Sequence, residues 1–216
     1  KNVKIVMFAG GRGASSISKS ISRNPQLSLT LLINGYDDGL STGRLRRFIP
    51  SMLGPSDFRK NAHELTHQTD ICDNALNKLL NFRLPEKTTE QQAYNFFNFI
   101  FNPTLECSRK YPATSLNQLS VGQQNLIEHA IKCFIAYYEK NKSIRDFSFG
   151  DCSVGNIVFS GYFLNCGQNF NEAINLYSKL CQSNGKLLNV TDGKPLVLCA
   201  LKANGEFLGD EASIVA

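Results

Sequence analysis

Apolar positions in the first third of the chain follow strand and helix periods in alternation. Val3 to Ala9 is apolar except for Lys4 and runs into Gly10-Gly11-Arg12-Gly13, the pattern of a buried parallel strand entering a glycine loop. Ile17 and Ile21 stand one helical turn apart among serines, and Asn24-Pro25 follows, which predicts a helix from about Ser15 to Arg23. A second apolar run from Leu27 to Asn34 completes a βαβ unit. That unit opens a doubly wound, mainly parallel Rossmann-like α/β sheet, whose ligands lie at the carboxyl ends of the strands.

The pattern then turns helical. Ser56 is expected to cap a helix through Thr66, Asp73 one through Phe82, Thr89 one through Phe101, and Ser120 with Gln123 forms a capping box before a segment to about Lys140. Residues 66–147 are therefore expected to be a helical insertion, with Tyr94, Phe96, Phe97, Phe99 and Phe101 as its core rather than a base-stacking platform. Val154 to Leu164 is a further apolar segment, and Asn169 with Glu172 caps a helix through Leu180. Strands are expected at Leu187–Val190, Leu196–Lys202, Glu206–Gly209 and from Ser213 onward, with a hairpin turn at Asn204-Gly205.

Composition narrows the class. The 216 residues are 42% hydrophobic and 19% charged, ordinary values for one globular core. No apolar run is long enough to span a bilayer, so a cytoplasmic protein without a membrane partner is expected. Seven scattered cysteines fit buried reduced thiols better than a disulfide framework or a Cys-x-x-Cys metal site. A net charge of +5 favours anionic ligands of phosphate size and is too small to require nucleic acid; a homo-oligomer stays open.

Candidate chemistry concentrates between Gly10 and Asn61. The loop Gly10-Gly11-Arg12-Gly13 lets backbone N–H groups approach an anion at a helix N-terminus. It is neither a dinucleotide fingerprint, since Ser16 replaces the third glycine, nor a P-loop. The segment from Asn34 to Arg47 holds Asp37, Asp38, Ser41, Thr42, Gly43 and Arg44: carboxylates for a hard cation or an acceptor hydroxyl, and hydroxyls and guanidinium for phosphate. The bland alternative is an Asx turn before a basic surface helix. Asp57, Arg59 and Asn61 begin the next helix, and Gly155 with Asn156 follow Ser153, itself a candidate N-cap. A competing pattern, His63-Glu64-Leu65-Thr66-His67, matches the zinc-hydrolase arrangement, with Glu86 or Glu90 as a third ligand; its alternative role is an exposed polar helix face.

The run Gly10-Gly11-Arg12-Gly13, then Asp37-Asp38-Gly39-Leu40-Ser41-Thr42-Gly43-Arg44-Leu45-Arg46, then Pro55-Ser56-Asp57-Phe58-Arg59-Lys60-Asn61 resembles the motifs of the CofD/YvcK family in order and spacing. Ser153-Val154-Gly155-Asn156 is similar to that family's later Gly-Asn helix start, and residues 66–147 carry no resemblance. The resemblance implies a nucleotide-binding domain. YvcK-like members bind UDP-sugars and regulate carbon metabolism or cell-wall synthesis, and the motif favours them. CofD enzymes transfer a phospholactyl group from a guanosine diphosphate-activated donor to a deazaflavin with magnesium, and Asn34 is similar to their asparagine. On either branch Gly10 to Gly13 would meet pyrophosphate. Asn34, Ser41, Thr42, Gly43, Arg44, Asp57, Arg59, Asn61, Gly155 and Asn156 would surround the nucleotide, and Asp37 and Asp38 would position magnesium or an acceptor hydroxyl. Arg12, Leu40, Ser56, Lys60 and Cys152 depart from the family pattern. The family fold would continue beyond Ala216, so the domain is expected to be incomplete at its C-terminus.

Overall fold

The computed structural model describes residues 3–10, 13–66, 71–102, 116–191, 194, 196–209 and 213–214. The opening βαβ unit forms as its periodicity predicts: β1 (Val3–Ala9), α1 (Ser15–Ser22) and β2 (Leu27–Ile33), with β1 and β2 parallel from Val3↔Leu27 to Ala9↔Ile33. Among the described residues seven α-helices separate β2 from β3 (Lys186–Asn189): α2 (Leu40–Phe48), α3 (Ser56–Glu64), α4 (Ile71–Asn81), α5 (Glu90–Phe101), α6 (Val121–Asn141), α7 (Val154–Asn165) and α8 (Phe170–Leu180). β3 lies parallel to β2, so the order is β1-β2-β3, and a small antiparallel hairpin, β4 (Ala200–Leu201) with β5 (Phe207–Leu208), turns at Gly205 with φ +86°.

Register decides which side of the sheet is covered. Ile5, Met7 and Ala9 stand beside Leu29, Leu31 and Ile33 on one face, and Leu31, Ile33 and neighbouring Leu187 are buried under the helices. Crossovers that advance in one direction with the usual right hand stack their helices on one face. The opposite face of β1 shows Val6 62% and Phe8 78% exposed, so β1 is buried on one side only among the described residues. The expectation of a fully buried strand is corrected accordingly.

The caps at Thr89, Ser120 and Asn169 form as their sequences predict, and the first two are reciprocal capping boxes. Two others differ. Ser56 is the first residue of α3 behind Pro55, its hydroxyl turned to Thr42, and Asp73 lies inside α4 rather than at its cap. Leu196 to Cys199 is not a strand, because no strand pairs with it among the described residues; only Ala200–Leu201 is paired. Ser213 and Ile214 have helical backbone. Cys152 and Cys181 are buried thiols as expected, but Cys133 and Cys166 are partly exposed and Cys199 is exposed in the uncovered segment.

The core is aromatic on one side and close-packed backbone on the other. Phe48, Phe134, Tyr138, Phe147 and Phe149 form one cluster with ring centroids 4.9–6.4 Å apart, and Phe96, Phe97 and Phe99 are buried as the helical pattern predicted. Every residue of α7 from Val154 to Phe163 is buried. It presses against α6 at Gly161, where an added Cβ would lie 1.9 Å from the Ala130 carbonyl oxygen. Gly161→Ala is therefore expected to destabilise the fold by about 2–4 kcal/mol in urea titration. Gly122→Ala on α6, where a Cβ would meet nothing within 4 Å, should stabilise by about 0.5–1 kcal/mol.

Candidate functional site

The carboxyl ends of β1 and β2 lead into the first two motif segments, and the third begins α3 after α2. After β2 the chain makes two successive Asx turns: Asn34 Oδ1 accepts from Tyr36 N at 2.9 Å, and Asp37 Oδ1 from Gly39 N at 3.1 Å. Gly54 lies so close that a Cβ there would sit 2.3 Å from the Asp37 carbonyl oxygen, and Gly54 N donates to Gly35 O at 2.7 Å. Arg46 holds the same loop from the far end of α2. Its Nη1 donates to the carbonyls of Tyr36 at 3.1 Å and Asp37 at 3.2 Å and pairs with Asp38 Oδ1 at 3.6 Å, while Nη2 donates to the Leu196 carbonyl. Both partners of that ion pair are buried. Gly43 is required one turn earlier, because a Cβ would lie 2.5 Å from the Asp38 carbonyl oxygen.

An Asx turn is thus present, but the basic surface helix is not. Ser41, Thr42 and Arg46 of α2 are all buried. Thr42 Oγ1 and Ser56 Oγ are 2.5 Å apart, joining α2 to α3. Arg59 Nε donates to Asn156 Oδ1 at 2.5 Å, joining α3 to α7. Asn156 Nδ2 reaches Ser41 Oγ at 3.5 Å, closing the circuit. Four residues predicted for the site from separate motifs, Ser41, Thr42, Arg59 and Asn156, therefore meet where the first turns of α2, α3 and α7 converge. Gly155 lies against them, where a Cβ would fall 2.5 Å from Arg59 Nη1 and 2.7 Å from the Leu80 carbonyl oxygen. Arg59 is 3% exposed, and its Nη1 has no acceptor in hydrogen-bonding geometry.

The remaining predicted residues lie around this junction. Arg44 Nη1 donates to Gly150 O at 2.7 Å. Asp57 pairs with Lys60 at 3.1 Å, and Asn61 Nδ2 donates to the Asp57 carbonyl at 2.8 Å, both within α3. Gly10 and Gly13 are exposed, with open space where a Cβ would project; Gly11 and Arg12 lie outside the described residues. Asp37 is half-buried, and Asp38 pairs with Arg46.

Arg83 is a residue that motif reading passed over. It follows α4, bridges to Ser153, and points Nη1 at Asp151 O (2.7 Å), Asp151 Oδ1 (3.1 Å) and Ser41 Oγ (3.4 Å). Cys152 sits beneath. Burial pushes its thiol up to about 12 even though Arg59, Arg44 and Arg83 all pull it down, a sign of how cationic the start of α7 is. Beside α2, a cleft of about 450 Å³ is lined by Asp38, Arg46, Arg47, Pro50, Met52, Val197 and Gly209. A larger one of about 550 Å³ lies between α8 and the start of β3, at the other end of the sheet, and contains no motif residue.

The zinc arrangement does not assemble among the described residues, where no group of three or more His, Cys, Asp or Glu side chains could hold a metal. His63 is not on an exposed face but buried against Tyr177, with Nε2 3.2 Å from its hydroxyl, and against Cys181. Glu64 turns the other way, accepting from Ser15 Oγ at 2.9 Å and pairing with Lys19. His67 lies outside the described residues.

With this geometry in view, the comparisons are decisive for the family. A family model described as "2-phospho-L-lactate transferase CofD" matches residues 5–216. The chain belongs to the CofD family. A stretch of 84 residues of this CofD-family chain, 39% of it, is 30% identical to the "Putative gluconeogenesis factor" of Thermotoga maritima, covering 25% of that protein. Two crystal structures of protein BH3568 from Bacillus halodurans, one described as a member of the UPF0052 family, share the fold at TM-score 0.59 with 20% and 19% identity. Each comparison covers 99% of this chain and 47% of the other, so the chain spans about half the length of those structures and a quarter of the curated relative.

His63 generates a pH prediction. Burial first, and the nearby Arg59 charge second, lower its pKa from 6.5 to about 3. Between those values the unfolded chain binds the proton and the native one does not. The contribution is therefore complete above about pH 6.5 and is lost as pH falls, by about 1.4 kcal/mol per unit, until about pH 3. Chemical denaturation between pH 7 and 4.5 should show a correspondingly shallower slope in His63→Gln than in the wild type.

Proposed function

We propose that this CofD-family chain binds a nucleoside diphosphate or UDP-sugar through its phosphates, acting as a YvcK-like regulator of carbon metabolism or cell-wall synthesis in the cytoplasm. The observation that carries this reading is the convergence of Ser41, Thr42, Arg59 and Asn156 at three helix starts on the carboxyl side of a parallel sheet. Helix starts and guanidinium groups favour an anion there. The contacts of Ser41 with Asn156 and Arg83, at 3.5 and 3.4 Å, are at the long limit for hydrogen bonds. A phosphate oxygen would offer those donors a shorter, charge-assisted partner. The name of the Thermotoga maritima relative agrees with a role in carbon metabolism.

A transferase reading is favoured by the family description, 2-phospho-L-lactate transferase. In that reading Asp37 would orient magnesium or the acceptor hydroxyl, and Arg59 and Arg44 would stabilise charge on a transferring phosphoryl group, electrostatic work rather than covalent catalysis.

Thermal shift with magnesium and a panel of UDP, GDP, a UDP-sugar and NAD separates these readings. A ligand present at a hundred times its Kd stabilises by about 2.7 kcal/mol. A UDP-sugar shift without turnover is expected. Release of a guanosine nucleotide that Asp37→Asn abolishes would establish the transferase instead, and no shift with any nucleotide would sink both.

A further inference from the structure

We propose that Arg83, supplied by the helical segment that carries no family motif, is a phosphate-contacting residue at the rim of this site. The inference rests on the phosphate-binding reading above and extends it to a residue that no motif includes. Arg83 is 49% exposed, whereas Ser41 beneath it is 4% exposed, so its guanidinium lies on the solvent side of the junction. Nη1 makes all three of its contacts, to Asp151 O, Asp151 Oδ1 and Ser41 Oγ. Among the described residues no hydrogen bond uses Nη2 or Nε, and that edge of the fork has the geometry that suits two phosphate oxygens.

Two independent features point to an anion at this place. Arg59 is buried, and its Nε donates to Asn156 Oδ1, whose Nδ2 reaches Ser41, so a second guanidinium adjoins the same junction. The groups acting on Cys152 comprise three guanidinium groups, from Arg44, Arg59 and Arg83, against the single carboxylate of Asp151. Asp151 adopts φ 54°, a left-handed conformation that directs its carbonyl and carboxylate to the same Nη1. It holds the guanidinium in place while offsetting only part of the local positive charge. The ligand class is a phosphate ester or pyrophosphate, and the segment between α4 and α5 becomes part of its recognition.

The test is calorimetric titration of wild type, Arg83→Gln and Arg83→Lys with inorganic pyrophosphate, UDP and uridine, alongside ligand-free melting of each protein. Arg83→Gln is expected to weaken pyrophosphate and UDP about tenfold or more, the equivalent of one charge-assisted hydrogen bond. Uridine affinity and ligand-free melting should not change, and Arg83→Lys should recover part of the loss. Pyrophosphate and UDP affinities within twofold of wild type in Arg83→Gln overturn the role of Arg83 while leaving the nucleotide reading intact. Wild type that binds pyrophosphate in an Arg83-dependent way but no UDP keeps the anion contact and removes the nucleotide. Wild type that binds neither overturns both.

Discussion

A guanidinium buried, among the described residues, without a carboxylate partner sets the terms for what surrounds it. Arg59 is 3% exposed, and its Nε donates to the neutral amide oxygen of Asn156, at 2.5 Å. Burying a charge is costly unless its surroundings answer it. Here they answer by staying neutral or turning a dipole toward it: His63 remains uncharged, Cys152 remains a thiol, and Asn156 presents its oxygen. Gly155 has no side chain because the guanidinium occupies that space. Among the described residues Arg59 is thus answered by neutral groups rather than by a carboxylate.

The same constraint explains how motifs far apart in sequence become one place. Bonds from α3 to α7, from α2 to α3 and from α7 to α2 span 97, 14 and 115 positions and close a ring of polar side chains inside an otherwise apolar core. Arg46 does separate work. It fastens the loop after β2 to the segment at Leu196, so the loop carrying Asp37 is anchored by its own helix and by the chain's last third. Asp38 supplies a counter-charge to that anchor.

What was legible in the sequence was local. The βαβ opening, the capping boxes at Thr89 and Ser120, and the helix over Glu90–Phe101 each follow from spacing within a few residues. The family resemblance located the residues that gather at the site, but not how they gather. Ser56 has the composition of a cap yet spends its hydroxyl on Thr42, and His63 has the spacing of a ligand yet packs in the interior, because partners 14 and 114 positions away leave no mark on local pattern. Arg83 was invisible for the same reason, lying between two helices with nothing nearby to distinguish it from a solvated charge. The uncovered face of β1 could not be read from its apolar run either, since that run is the same whether one face is packed or two.

Gly161 has a mechanical consequence. Backbone meets backbone there, with no side chain between α6 and α7 to rearrange, and Asn156 is only five residues, about 7.5 Å of helix, up the same rod. Sliding α7 would drive it into the Ala130 carbonyl, so the floor of the junction behaves as a fixed bearing.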